Sequence, residues 1–291
     1  MTRTSATTAA TTAQPTLTVT AADDMPTADS PPEHTVGAWT AQTLILSGRQ
    51  LTVWLRDYST LTQSLLFPAL AMVMFKVVLG EVVADTTGQN SAYGTVPLVI
   101  LVGAMFGSMA AAVRLNRERA TGLLGRLYVL PINRAADLSA RIIAELVRIL
   151  VATVVLLIAG VFIGFRFTQG AWAAAGIVGV ALLYGMAFSM MVLALAVNTK
   201  PTAPIVPLIS LGASVMMFFN SGFSPLEAYP GWLQPIVANQ PMTPAIEVMR
   251  SLASGGPITE NLIKVIIWAA LLLAVFTLPA LRGYRRAATD R

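Results

Sequence analysis

The stretch Arg114–Arg141, RLNRERATGLLGRLYVLPINRAADLSAR, is the longest charged segment lying between the hydrophobic runs of this chain. It sets six arginines against Glu118 and Asp137 and contains a short apolar helix pattern closed by Pro131. Long apolar runs lie on both sides, over residues 95–113 and 149–165. Working outward, further runs occupy residues 59–80, 172–197, 205–221 and 262–281. Several approach or exceed the roughly 18 apolar residues that mark a helix able to span a bilayer. Only 11% of the 291 residues are charged and 55% are hydrophobic, whereas an ordinary soluble domain carries about 25% charged residues. The mean hydropathy is +0.69. This much apolar surface cannot be hidden in one soluble core. The expected fold is an all-α polytopic membrane protein with six transmembrane helices over those six stretches.

Composition excludes several chemistries. There is no cysteine, so no disulfide framework, thiol nucleophile or cysteine-ligated metal. The single histidine, His34, lies in a tail rich in Thr, Ala, Pro and Asp. Histidine-based triads and multi-histidine zinc sites are therefore absent. A P-loop needs a lysine after a glycine, but Lys76, Lys200 and Lys264 follow Phe75, Thr199 and Ile263. Paired catalytic carboxylates are not visible, and Glu227 and Glu247 read as surface acids. The expectation is a protein with no catalytic residues, no metal and no cofactor of its own. The arginine bias among the basic residues is that of a GC-rich genome.

The flanks of the six spans follow from local pattern. Residues 1–35 form a proline-bearing tail of low hydrophobicity, expected to be disordered and cytoplasmic. Residues 36–58 read as an interfacial connecting helix: Leu44, Leu51 and Leu55 recur at helical spacing, and Trp39 and Trp54 are expected at headgroup level. Pro68 is expected to kink the first span, with the freed carbonyl satisfied by a neighbouring helix. Lys76, near the outer end of that span, reads as a lysine snorkelling to the outer headgroups, with a part in substrate passage as the alternative. Residues 81–93 are expected to be a short polar outer loop. In the second span Gly103 and Gly107 form GxxxG, which predicts close helix packing. Asp137, Arg141, Glu145 and Arg148 alternate in sign at three- and four-residue spacing. Such a stripe is most often a solvated face, although Glu145 and Arg148 lie at the membrane edge, where contact within the bundle or with a partner becomes available. Residues 223–257 are too polar and proline-broken to span. They read as a broken outer helical hairpin of short, partly buried helices, with Tyr229 and Trp232 anchored in the interface and Glu247 paired with Arg250.

Charge orients the chain. With the tail inside, fourteen lysines and arginines fall on inner segments: Arg3, Arg49, Arg56, the six of the central loop, Lys200 and the four of residues 282–291. Arg166, Arg250 and Lys264 fall outside. The asymmetry predicts cytoplasmic termini, a six-helix transmembrane domain over residues 59–286 and a basic cytoplasmic end at 287–291. It also explains the pI near 9.9 better than nucleic-acid binding does; no nucleic-acid partner is expected. The spans hold almost no ionisable group apart from Lys76, which disfavours an ion-coupled carrier.

With this pattern assembled, the chain resembles the permeases of the type-2 ABC exporter class. It looks most like the daunorubicin/doxorubicin-resistance permease family, particularly its mycobacterial members associated with lipid export. The resemblance covers residues 38–286. It rests on RERATGLLGRLYVLPINRAADLSAR, with Glu118, Gly122, Leu127, Pro131, Arg134 and Arg141 placed as in the family. It rests equally on SGFSPLEAYPGWLQPIVANQPMTPAIEVMR, with Pro225, Pro230, Trp232, Gln234, Asn239, Pro241 and Arg250 matching, and on the order of elements.

The resemblance implies a permease that pairs with a second permease, identical or sibling, and contacts a separate ATP-binding ABC subunit that holds ATP and Mg. It implies that the loop after the second span is a coupling helix carrying Arg117, Glu118, Arg119, Leu123, Arg126, Leu127, Leu130 and Pro131. It implies a cargo cavity between spans one, two and five. Candidates for the lining are Phe67, Met72, Met216, Met217, Phe218 and Asn220, each of which also reads as ordinary core packing. The residues themselves agree on one point: Leu123, Leu127 and Leu130 share a helical face suited to a partner groove. Arg117, Arg119 and Arg126 stand beside that face, available to acidic groups or lipid phosphates. The plain alternative is a basic loop folded on the membrane surface. The expected function, in the plasma membrane, is export of hydrophobic or amphipathic molecules, such as a phthiocerol dimycocerosate lipid or an anthracycline-like drug, out of the cytoplasm or inner leaflet. An ATP-independent scaffold or secondary carrier is the competing reading.

Overall fold

The computed structural model describes residues 35–87, 90–123, 134–200 and 203–289. Every regular element among them is helical. Helix α1 (Val36–Arg56) is followed by α2 (Tyr58–Leu61), a π-helical turn (Thr62–Leu66) and α3 (Phe67–Thr87). Then come α4 (Ala92–Ala120), α5 (Arg134–Phe162), α6 (Ala171–Asn198) and α7 (Ile205–Phe218). A 3-10 turn (Leu226–Ala228), α8 (Gln234–Asn239), α9 (Met242–Ser254) and α10 (Thr259–Thr289) complete the chain. The N-terminal tail and most of the central loop, including Arg126, Leu127, Leu130 and Pro131, lie outside the described residues.

Among the described residues, four helices are long and apolar enough to cross a membrane: α4, Ala136–Phe162 of α5, α6, and Thr259–Tyr284 of α10. Two shorter apolar stretches, Ser64–Val78 and Ile205–Phe218, stand beside them. The all-α expectation holds. The fifth span departs from its expected length. Helix α7 has 14 residues, about 21 Å at the rise of ~1.5 Å per residue, short of a hydrocarbon layer of about 30 Å. Its C-terminal continuation is irregular backbone held by Asn220. That side chain, fully buried, donates to the carbonyls of Met216 and Met217 and accepts from the amide of Gly222. Non-helical backbone is tolerated at membrane depth when the protein itself satisfies it.

Helix α4 is the axis of the bundle. In its most apolar window 78% of residues are buried, against 11% for α10 at the periphery. Helix α6 packs on α4, α5, α9 and α10, and α1 lies along α5. The main core joins Val96, Leu98, Ile100, Leu101 and Met105 of α4 to Ile177, Tyr184 and Phe188 of α6 and to Ile246 and Met249 of α9. Large apolar side chains remain exposed on α3 (Leu70, Met74, Val77), α7 (Leu208, Leu211, Val215) and α10 (Ile263, Ile267, Leu271). Apolar area on this scale marks surfaces that meet lipid or another subunit.

Several local expectations change. The segment expected as an outer loop from residue 81 continues as helix to Thr87, because neither glycine nor proline interrupts residues 81–87. Ahead of Pro68 the helix widens into a π-helical turn (Thr62–Leu66), the usual accommodation where an amide hydrogen is missing. The Ser64 carbonyl, four residues before Pro68, faces Gly103 of α4, whose added Cβ would lie 3.2 Å from it.

Helix α1 is amphipathic, but Trp54 is buried at 3% exposure rather than placed at headgroup level. Thr43, Ser47, Gln50 and Trp54, spaced four, three and four apart, face the bundle, while Leu44, Ile45 and Leu55 are exposed. Helix α9 is deeper than a surface hairpin: Met242, Ala245, Ile246, Val248 and Met249 are all buried.

Candidate functional site

The four charges expected along the start of the third span belong to the interior. Glu145 and Arg148 are 9% and 2% exposed. They form a two-pronged pair: Arg148 Nε donates to Glu145 Oε2 at 2.8 Å and Nη2 to Oε1 at 2.7 Å. Arg148 Nη2 also reaches the Ala104 carbonyl of α4 at 3.2 Å, and Ser108 Oγ donates to Glu145 Oε1 at 2.8 Å. Ser189 of α6 stands beside Glu145, and the two line the same cavity. A guanidinium that deep persists only because its planar donors match a carboxylate and spare carbonyls. The stripe is therefore not solvated; it ties α5 to α4 and α6. Gly107 explains why the guanidinium fits. A Cβ there would lie 1.8 Å from Arg148 Nη1, so one glycine of the GxxxG pair makes room for a charge.

One turn nearer the expected cytoplasmic side is a second network. Arg141 bonds Glu118 at 2.6 Å and Asp137 at 3.5 Å. Its Nε donates to Tyr284 Oη of α10 at 2.9 Å, and the Tyr284 hydroxyl donates to Asp137. The guanidinium also stands 5.5 Å from the centre of the Tyr284 ring, within cation–π range. Three helices, α4, α5 and α10, thus meet where the central loop begins. Helix α4 ends there at Gly122, whose φ of +72° closes the helix, with its amide on the Arg119 carbonyl at 3.1 Å.

Among the coupling residues, Glu118 points inward to Arg141. Arg119 Nη1 caps the end of α6 through the carbonyls of Ala196 and Thr199, at 2.8 and 3.0 Å. Arg117 is exposed and Leu123 half-buried.

Helices α3, α4 and α7 enclose an apolar cleft of about 370 Å³, lined by Phe67, Pro68, Leu70, Ala71, Met74, Phe75, Leu98, Val99, Val102 and Met217. Its volume falls within the ~300–1,000 Å³ typical of small-molecule sites. Phe67 and Met217 line it. Met72 turns into the core at 1% exposure, Met216 packs against that core, and Phe218 stacks on Phe223. Asn220 serves the turn after α7. Leu70, Ala71 and Val102 were not singled out from the sequence, because an apolar residue in an apolar run carries no mark of the face it occupies.

At the expected outer end, Glu247 pairs with Arg250 at 3.1 Å, and Arg250 Nη2 donates to the Ser221 carbonyl at 2.6 Å. Tyr229 Oη donates to the Asn220 carbonyl at 3.0 Å; partial burial raises its pKa above the ordinary phenol value, which keeps that hydroxyl protonated. Trp232 is largely exposed. Lys76 Nζ donates to Asn90 Oδ1 at 3.1 Å, so its charge is drawn toward the end of the helix.

Four helices among the described residues able to cross a membrane, buried charge networks joining them and an apolar cleft at their edge describe a membrane domain. Known proteins narrow it. The model of the ABC-2 type transporter family matches residues 41–253. The chain belongs to the ABC-2 type transporter family. It is 42% identical over 249 residues to a probable doxorubicin resistance ABC transporter permease protein, DrrC, of Mycobacterium tuberculosis, covering 86% of this chain and 90% of that one. It is 26% identical over 220 residues to the daunorubicin resistance ABC transporter permease protein DrrB1 of Streptomyces coeruleorubidus, covering 76% and 77%. It is 25% identical over 194 residues to the doxorubicin resistance permease DrrB of Mycobacterium tuberculosis, covering 67% and 66%. The resemblance drawn from the loop and hairpin motifs is thereby borne out. As an ABC-2 permease the chain is an integral membrane component of an ABC exporter.

Proposed function

We propose that this ABC-2 permease moves hydrophobic or amphipathic molecules out of the cytoplasm or inner leaflet, powered by ATP hydrolysed on a separate subunit. Cargo enters the cleft between α3, α4 and α7, and that cleft is the observation that carries the reading. Its walls are apolar, and its 370 Å³ suits a drug-sized body or part of a long lipid. An anthracycline-like drug and a phthiocerol dimycocerosate lipid both fit its chemistry. In this reading six helices cross the plasma membrane, with α3 and α7 as the first and fifth and both termini in the cytoplasm. A second permease, identical or sibling, covers the exposed faces of α3 and α7. The loop after α4 meets the ATPase through Arg117, Leu123, Arg126, Leu127, Leu130 and Pro131. ATP and Mg belong to that ATPase. Family membership speaks against an ATP-independent scaffold or secondary carrier.

The test is a deletion strain studied by surface-lipid profiling and by doxorubicin efflux, with the intact gene restored as control. Loss of one surface lipid with unchanged drug efflux assigns lipid cargo, and the converse assigns drug cargo. A strain unchanged in both measurements refutes the proposal.

A further inference from the structure

On the reading that the loop after α4 meets a separate ATPase, on which this inference rests, we propose that α10 is a rod carrying movement from the base of that loop to the hairpin that holds α8 and α9. Two neighbouring residues in the last turn of α4, Glu118 and Arg119, each begin a chain of polar contacts, and both chains end on α10. In the first, Arg141 Nη2 donates to Glu118 at 2.6 Å and Arg141 Nε to Tyr284 Oη at 2.9 Å, while the Tyr284 hydroxyl donates to Asp137. In the second, Arg119 Nη1 holds the carbonyls of Ala196 and Thr199 at the end of α6. Asn198, between them, donates to the Pro279 carbonyl of α10 at 2.9 Å. Gly283 lets α6 come this close: a Cβ there would lie 2.6 Å from Asn198 Nδ2 and from Val197 Cγ2.

Backbone packing joins α10 chiefly to α6 and α9, so side chains around Tyr284 make its link to α4 and α5. Tyr284 is buried, and so are most of the facing side chains of Glu118 and Arg141. Away from water, a hydrogen bond between charged groups is short and strong. Glu118 and Arg119 lie within about one turn of Gly122, where α4 gives way to the loop. A push on the loop therefore reaches α10 through these contacts without passing through the apolar core.

The far end of the rod is anchored too. Trp268 Nε1 of α10 donates to the Asn239 carbonyl at the end of α8, 2.8 Å away. Tyr284 and Trp268 stand about 24 Å apart along the helix axis, at ~1.5 Å per residue. The weak point between them is Pro279, which cannot donate to the helix ladder, and there Asn198 braces the helix. In the most apolar stretch of α10 only 11% of residues are buried, so one long face is unopposed by the bundle and the helix can shift as a unit. Rigid elements joined by hydrogen bonds and ion pairs are a physical means of coupling distant sites.

The test uses the full-length permease purified with the ABC ATPase that it retains. The chain has no native cysteine, so spin labels at F162C and I236C, both exposed positions, report the hairpin against the C-terminal end of α5. Singly labelled samples remove distances between copies. Trapping with ATP and vanadate is expected to shift the label distance by about 2 Å or more when Tyr284 and Asn198 are intact. In Y284F and in N198A the shift is expected to fall to about half or less, and in Y284F/N198A to vanish, with ATPase rate and vanadate trapping kept. A merely structural role would lower the thermal midpoint and leave the shift in place, and N198A guards against Y284F failing to fold. A full shift in every folded variant, or a trapped parent complex with no shift, overturns the rod alone. A permease that retains no ATPase overturns the reading of the loop, and the rod with it.

Discussion

The guanidinium of Arg148 lies directly over the Cα of Gly107, so close that a methyl group there would sit 1.8 Å from Nη1. Arg148 cannot simply swing aside, since Glu145 and the Ala104 carbonyl hold its other nitrogens. G107A is therefore expected to destabilise the protein by about 1–3 kcal/mol, the range for overpacking a tight interior. The readout is the unfolding midpoint in detergent. Gly179, whose added Cβ meets nothing within 4 Å, supplies the control: G179A should leave the midpoint unchanged or higher, since alanine is the better helix former. Equal midpoints for G107A and wild type would show that the guanidinium has another resting place.

The Arg148–Glu145 pair makes a sharper prediction about coupling. Removing one member of a buried pair strands the other charge and costs about 3–5 kcal/mol, whereas replacing both with apolar groups is often neutral. R148M and E145L should each be strongly destabilised, and R148M/E145L should be more stable than either. Additive losses in this double-mutant cycle would mean that the two side chains act independently.

How much of this was legible in the sequence depends on the kind of signal. Helices longer than a bilayer is thick announce themselves through apolar runs, and the family through its loop and hairpin motifs. Orientation of apolar faces does not. Lipid tails are as apolar as leucine, so Met72, turned into the core, and Met217, turned into the cleft, look alike in their runs. The alternation of Asp137, Arg141, Glu145 and Arg148 was plain, and so was their mutual pairing. Their burial was not, because it depends on Ala104, Ser108 and Ser189 arriving from α4 and α6. Trp54 misled in the same way: a tryptophan on an amphipathic helix suggests the interface, but its face is set by the polar stripe Thr43, Ser47 and Gln50.

Around Arg141 the prediction is one of rank. R141M leaves Asp137 and Glu118, both largely buried, without their shared cation, and it also removes one of the two partners of the Tyr284 hydroxyl. E118Q keeps a hydrogen-bonding oxygen for Arg141 and leaves Asp137 in place. Thermal midpoints should fall in the order wild type, E118Q, R141M, with R141M lower by the equivalent of about 3–5 kcal/mol. A midpoint for E118Q at or below that of R141M would count against this account of the junction.

In the transport cleft the expected effect is functional. Met217 lines the cavity and is only partly buried in the core packing. M217W adds bulk into open space rather than into a packed interior, so stability should change by less than about 1 kcal/mol. Export should fall several-fold as the cleft narrows. M72W is the contrast: Met72 is 1% exposed in the core, and the larger ring there should impair folding and expression. Full export by well-expressed M217W would remove the cleft from the cargo path.

The loop after α4 separates residues that build the domain from residues offered to a partner. Glu118 and Arg119 are engaged inside the chain, with Arg141 and with the end of α6. Substituting them should first lower stability and expression. Arg126 and Leu127 follow the turn at Gly122, on the segment proposed to enter a groove of the ATPase. L127D places a charge on the apolar face of that segment, and R126D reverses a charge beside it. Both variants should insert and fold normally while ATP hydrolysis by the complex no longer drives export, because a buried apolar anchor or interfacial charge commonly contributes 2 kcal/mol or more, roughly thirtyfold in affinity. ATPase activity and cargo efflux measured on the same reconstituted complex give the readout. Efflux at wild-type rates in both variants, at equal expression, would show that the ATPase engages the permease elsewhere.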